Sequence, residues 1–232
     1  SRAANLGGRS ASSLYFPVSV AGDDDGNLYV ADGSNNRVLV YYDVLGTDRV
    51  ADVVIGQRDF VSGAPNAGGG LAYSSGASAS SFHDPYRVRL DPSGNLYVAD
   101  FLNSRGLVFF SPLTDDLVAA LVVGQPDFTT NAPNARGLNA AGIRYPCSLG
   151  VDAYANLYMA DWGNNRVLFY RRPVAEDAVA DVVFGQASFS TADDTAPSAT
   201  SLWGAQRIGF DAEGSVYISD CYNSRLLKYE IA

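Results

Sequence analysis

Four copies of one short stretch govern what this chain can fold into. Gly26-Asn27-Leu28-Tyr29-Val30-Ala31-Asp32 returns as Gly94 to Asp100, as Asn156-Leu157-Tyr158-Met159-Ala160-Asp161, and as Gly214-Ser215-Val216-Tyr217-Ile218-Ser219-Asp220. The intervals are 68, 61 and 59 residues. Each copy is followed by Asn and Arg at fixed offsets and then an apolar run, such as Val38-Leu39-Val40-Tyr41 or Leu107-Val108-Phe109-Phe110. Self-similarity at a long fixed period marks one supersecondary unit used several times.

Leu28-Tyr29-Val30 and its counterparts are β-branched and aromatic and too short for a helix, so each reads as a strand. The five residues after Asp32 turn the chain back into a second strand. Asn tolerates left-handed backbone there, and an Asp side chain can accept from turn amides. Arg37 is placed to fork onto the Asp32 carboxylate or onto turn carbonyls. The same pairing is expected of Asp100 with Arg105, Asp161 with Arg166 and Asp220 with Arg225. A pair repeated in every unit reads as a structural turn clamp rather than a catalytic pair.

Two more strands complete the unit. A short run ends in Asp23, Asp91, Asp152 or Asp211, and Asp-x-x-Gly then turns into the Tyr strand. Repeat three departs here, with Ala155 in place of glycine. Downstream, Asp52 to Gln57, Ala120 to Gln125 and Asp181 to Gln186 are each a β run closed by Gly-Gln. Four antiparallel strands per unit, repeated radially, make an all-β propeller of four-stranded blades. An open solenoid fits less well, because its coils repeat over fewer residues.

Pro-x-x-Val-x-x-Asp, Gly-Asn-Leu-Tyr-Val-Ala-Asp and Asn-Asn-Arg-Val together resemble the NHL repeat, a propeller blade named for its Asn-His-Leu signature. The Gly-Gln-x-x-Phe tails at Gly56 to Phe60, Gly124 to Phe128 and Gly185 to Phe189 are similar to a long-repeat bacterial form. The resemblance implies a single domain over 1–232, with repeats at about 17–84, 85–145, 146–204 and 205–232, the last without its outer strand. It also implies rings of about six blades, so the chain reads either as four NHL-like blades or as a segment of a larger ring. NHL propellers include enzymes, RNA binders and protein-interaction platforms, so the resemblance leaves the activity open.

A chain of 232 residues with 47% apolar composition, 14 Tyr and 11 Phe suits sheets packed face to face. No apolar run approaches the length of a membrane-spanning helix. The formal charge of −9 repels phosphate backbones, which argues against nucleic acid as a partner. Few lysines and loops rich in Gly, Ser, Thr and Asn fit a secreted or cell-surface protein, extracellular or periplasmic. Ser1-Arg2-Ala3 reads as a processed or trimmed start. Residues 1–16 echo the stretch from Ala67 to Phe82, and the chain ends after the third strand of repeat four. Three outcomes are open: a three-stranded last blade, a strand supplied by another chain in a homo-oligomer, or a piece of a longer propeller.

With one histidine, His83, and two cysteines, a zinc site of three or four His or Cys is not expected, so no cofactor is assigned. His83 sits in a loop without a nucleophile elbow, which argues against a Ser-His-Asp enzyme and towards a non-enzymatic protein. Asp23-Asp24-Asp25 could hold calcium or be a solvated turn. Cys147 and Cys221 are expected on one face of adjacent blades, where they could form a disulfide or remain separate thiols. Phe16, Tyr145 and Trp203 precede inner strands, and Phe101, Trp162 and Tyr222 lie in the second-to-third turns. Gathered on one face, these rings either pin the long loops or present a surface to a protein, peptide or glycan. Ser19, Arg87, Ser148 and Arg207 share one register of the inner strands. Arg87 and Arg207, from alternate repeats, would grip an anion at the channel mouth, or pair with Asp84 and other local carboxylates. Arg89 shares the next register with the small residues Ala21, Gly150 and Gly209.

Overall fold

The computed structural model describes residues 5, 7–46, 49–67, 76–111, 117–194 and 196–230. The first sheet contains β1 (Pro17–Gly22), β2 (Leu28–Asp32), β3 (Arg37–Tyr41) and β4 (Val53–Ile55). The second contains β5 (Pro85–Leu90), β6 (Leu96–Asp100), β7 (Arg105–Phe109) and β8 (Leu121–Val123). The third contains β9 (Pro146–Val151), β10 (Leu157–Asp161), β11 (Arg166–Tyr170) and β12 (Val182–Phe184). The fourth has three strands among the described residues, β13 (Ala205–Phe210), β14 (Val216–Asp220) and β15 (Arg225–Tyr229). In every sheet the strands run in chain order and pair antiparallel, which makes four propeller blades.

Each inner strand, the first of its blade, packs on the inner strand of the next blade: β1 on β5, β5 on β9 and β9 on β13. No comparable packing joins β13 back to β1 among the described residues, so the four blades form an open arc. Side chains at its two ends show this directly. Val20 on β1 is 52% exposed and Leu226 on β15 is 62% exposed, whereas Val38 and Val167, at the position of Leu226, are fully buried. Apolar layers fill the spaces between blades. Tyr29, Val38 and Ile55 meet Val88, Val98 and Leu107 at the first junction; Tyr97 and Val108 meet Leu149, Met159 and Leu168 at the second; Tyr158 and Val167 meet Ile208 and Ile218 at the third. Hydrophobic burial between blades is the main source of stability in such an array.

The turn between second and third strands is a single 3-10 turn in every blade: Gly33–Asn35, Phe101–Asn103, Trp162–Asn164 and Cys221–Asn223. Asp32 fixes the first. One carboxylate oxygen accepts from the Tyr15 backbone N–H at 2.6 Å; the other accepts from Asn35 at 2.8 Å and from Arg37 Nε at 2.7 Å. The Arg37 guanidinium then donates to the carbonyls of Phe60, Ser10 and Ser13, drawing two loops onto the turn. Asp100 with Arg105 and Asp161 with Arg166 repeat the arrangement, and all three pairs are fully buried. In the fourth blade Arg225 holds Asp220 at 2.7 Å, but its side chain is 24% exposed. Reciprocal amide pairs reinforce the turns: Asn5 with Asn35, Asn66 with Asn103 and Asn134 with Asn164.

The turn also holds the neighbouring blade. After each 3-10 turn the chain passes through left-handed backbone at Asn36, Ser104, Asn165 and Ser224. The side chains of the first three accept the backbone N–H of Asp84 at 2.8 Å, Tyr145 at 3.3 Å and Gly204 at 3.0 Å, each the entry residue of the following blade. The Gly-Gln closure has an equally local cause. Gly56, Gly124 and Gly185 take φ near +90° (90, 88 and 88), and a Cβ on any of them would strike Phe82, Ile143 or Leu202. The following glutamines, Gln57, Gln125 and Gln186, donate to the turn carbonyls of Asn36, Ser104 and Asn165 and to a carbonyl of the long loop.

Candidate functional site

All four 3-10 turns lie on one face of the arc, where the inner strands begin. A β-bulge opens each inner strand there and re-aims one side chain: Val18, Tyr86, Cys147 or Gln206. The entry residues just before them, Phe16, Asp84, Tyr145 and Gly204, all have positive φ (55, 56, 53 and 73). Trp203 belongs one position earlier than expected. Its backbone N–H bonds Asp220, as those of Tyr15, His83 and Arg144 bond their own clamp carboxylates. Its counterparts are therefore Tyr15, His83 and Arg144, and Gly204 is the residue equivalent to Phe16 and Tyr145.

That one-residue offset explains how the aromatic side chains connect. Cys221, not Tyr222, occupies the turn position held by Phe101 and Trp162. A Cβ on Gly204 would meet the Tyr222 ring at 2.4 Å and the Trp162 indole at 3.3 Å. With no side chain there, Tyr222 lies across the blade boundary. The result is a chain of ring contacts across three blades: Tyr86–Phe101 at 4.9 Å, Phe101–Trp162 at 6.3 Å, Trp162–Tyr222 at 6.3 Å and Tyr222–Trp203 at 5.1 Å. Tyr145 joins through Phe101 at 5.6 Å, with the Arg144 guanidinium over its ring. Trp203 is 40% exposed and Tyr222 52%, so the belt is open to solvent at its blade-four end. Phe16 is exposed in blade one, and no ring contact links it to the belt among the described residues, because Gly33 stands where Phe101 and Trp162 stand.

The two cysteines are both free thiols. Cys147 is buried, its thiol donates to the Ala205 carbonyl at 3.3 Å, and burial pushes its pKa up to about 12; Cys221 is exposed. The disulfide alternative is thus not the arrangement found. Asp23, the first of the three consecutive aspartates, is engaged by the N–H groups of Asp25 and Asn27 and by the Asn27 amide. Among the described residues no three His, Cys, Asp or Glu side chains gather where they could hold a metal ion.

Ser19, Arg87, Ser148 and Arg207 do share a register, each opposite Ala31, Ala99, Ala160 or Ser219 of the next strand. Ser19 Oγ accepts the Val88 N–H of the next blade at 3.3 Å. Ser148 is fully buried, and its hydroxyl has no hydrogen-bond partner among the described residues. Arg87 does not pair with Asp84: among the described residues Arg87 forms no ion pair, and the buried Oδ1 of Asp84 has no hydrogen-bond partner.

Comparison with known proteins bears on this architecture. Residues 14–41, which run from the first loop through β3, match the NHL repeat family model. This segment is an NHL repeat. Its clamp and turn recur in the three other blades. Solved structures of similar fold include hydrazine synthase of Kuenenia stuttgartiensis, with 11% identity, a TM-score of 0.53, and coverage of 94% of this chain and 50% of that one. A catalytically inactive virginiamycin B lyase from Staphylococcus aureus with quinupristin has 11% identity, a TM-score of 0.50, and coverage of 93% and 55%. A protein of unknown function from Bacteroides thetaiotaomicron has 16% identity, a TM-score of 0.55, and coverage of 92% and 46%. At such identities the likeness concerns the fold alone. The chain spans about half the length of these structures. No curated protein sequence matches it.

Proposed function

We propose that this chain is a non-enzymatic binding module whose turn face receives a protein, peptide or glycan partner. The observation that carries this reading is the aromatic belt from Tyr86 to Trp203, continuous over three blades and exposed at Trp203 and Tyr222. Tryptophan and tyrosine on a rigid scaffold supply large contact area at little entropic cost, and they dominate binding energy where interfaces have been dissected. The scaffold is rigid here because clamps, amide pairs and blade latches all converge on the same face. The acidic, loop-rich surface fits an extracellular or periplasmic setting. A second reading, self-association, is favoured by the outer edge of β15, which pairs with no strand among the described residues, and by the exposed Leu226.

The chain has two tryptophans, Trp162 and Trp203, and both lie in the belt, so intrinsic fluorescence reports on this surface. Chito-, cello- and xylo-oligosaccharides and peptides selected from a random display library are the probes. At least one class is expected to bind and to shift the emission. Binding is expected to be lost in Trp203→Ala/Tyr222→Ala, whose fold circular dichroism would check. Failure of every probe, or binders indifferent to the double substitution, would sink the proposal.

A further inference from the structure

Three arginines lie at two adjacent registers of the inner strands, in a protein whose overall charge is −9. Arg87 and Arg89 come from β5, and Arg207 comes from β13, two blades away. Burial above all, and then the charges of Arg89 and Arg207, push the Arg87 guanidinium down to about 10; burial and then Arg207 lower Arg89 in the same direction. Crowding like charges in a half-buried space is unfavourable unless something negative enters it. Among the described residues no carboxylate pairs with any of the three.

Their donors are also largely unspent. Arg87 Nε is buried with no hydrogen-bond partner among the described residues. Arg89 spends one nitrogen on the Val88 and Val20 carbonyls, and Arg207 spends one on Gln206. On the blade between them, at the register of Arg87 and Arg207, the fully buried Ser148 hydroxyl is likewise unpartnered among the described residues. Buried donors without acceptors are rare in folded proteins and point to a missing group. Arg207 is exposed, so the space opens to solvent.

We propose that Arg87, Arg89 and Arg207, with the Ser148 hydroxyl, form an oxyanion site that takes a doubly charged phosphate or sulfate group, free or as an ester on a larger ligand. Guanidinium forks match the paired oxygens of such a group, and two negative charges offset the three positive ones better than a single carboxylate would. The site stands independently of the aromatic belt.

Thermal unfolding in sodium phosphate and sodium sulfate, against sodium chloride and acetate at equal ionic strength, tests it. A ligand that binds only the folded state raises Tm. The expected result is a rise in phosphate or sulfate beyond that in chloride and acetate. Isothermal titration should show affinity at least about tenfold weaker in Arg207→Gln and Arg87→Gln, as for loss of a charge-assisted hydrogen bond. Without the anion, Arg87→Gln should melt above the native protein, because a desolvated like charge is relieved; a purely structural arginine would shift it downwards. Arg207 is exposed, so its variant keeps the test valid if Arg87→Gln fails to fold. Glucose 6-phosphate and glucose 6-sulfate extend the series: a larger shift than the inorganic ions assigns the group to a larger ligand, and an equal shift assigns the free ion. No excess shift in phosphate or sulfate, or one that survives Arg207→Gln, overturns the proposal. Trp203→Ala should leave the anion response intact, which separates this site from the belt.

Discussion

Asp84 shows how far a single residue can depart from its repeat. Phe16, Tyr145 and Gly204 hold the same left-handed entry position, but only here does a carboxylate sit beside the blade-one turn. Its buried Oδ1 has no hydrogen-bond partner among the described residues, and burial, opposed by His83 and reinforced by the Asp100 carboxylate, raises its pKa above the ordinary value. The folded state therefore holds this proton to higher pH than the unfolded chain does. Stability from this group is greatest at acid pH and falls as pH climbs from the ordinary carboxylate range through the raised value. Asp84→Asn keeps a residue that tolerates positive φ and removes the charge. It is expected to stabilise the protein at neutral pH by about 1 kcal/mol, discounted for partial exposure, and to flatten the acid limb of a Tm-against-pH curve. A lower Tm at neutral pH would show that the carboxylate is used. Ala155 is a milder case: it takes φ of 62° where three other blades use glycine.

At the scale of the element, the turn clamp is the part with most at stake. Removing one partner of a fully buried ion pair strands the other charge, so Arg105→Ala should destabilise by about 3–5 kcal/mol in urea unfolding. Arg225→Ala, at the partly exposed clamp, should cost less than half as much, and equal losses would contradict the burial argument. The Asp-x-x-Asn-x-Arg spacing made this element readable in advance, because the chemistry lies within six residues. The blade latch was not readable. Asn36, Ser104 and Asn165 act on residues 48, 41 and 39 positions away, and their partners are backbone amides that leave no mark on the sequence. The amide pairs, such as Asn66 with Asn103, were hidden for a similar reason: one member lies in a long loop whose path only the folded blade defines. The belt was half legible. Its aromatic residues other than Tyr86 stood out, but the contact of Tyr86 with Phe101, the one-residue offset of Trp203 and the room left by Gly204 depend on packing between blades.

At the scale of the four described blades together, the open arc is the defining property. The number of repeats could be counted in the sequence, but closure depends on whether the last blade meets the first, and no local pattern encodes that. The exposed edge of β15 and Leu226 predict association at high concentration. Sedimentation velocity over a concentration series should show mass rising in the native chain and constant in Leu226→Asp, which sets a charge on that face. A native chain that stays monomeric throughout would count against the self-association reading.

The latch has a consequence for how such a molecule can vary. Its acceptor is a side chain of one blade, and its donor is the main chain of the next. Aspartate, tyrosine and glycine all serve equally at the receiving position. A blade can therefore be copied in tandem and hold its new neighbour at once, with no second substitution to match the first. The same indifference leaves the latch itself blind to the entry side chain, which other contacts then decide: Tyr145 joins the aromatic belt, and Gly204 makes room for Tyr222. Duplication and diversification thus act on different atoms of the same hydrogen bond.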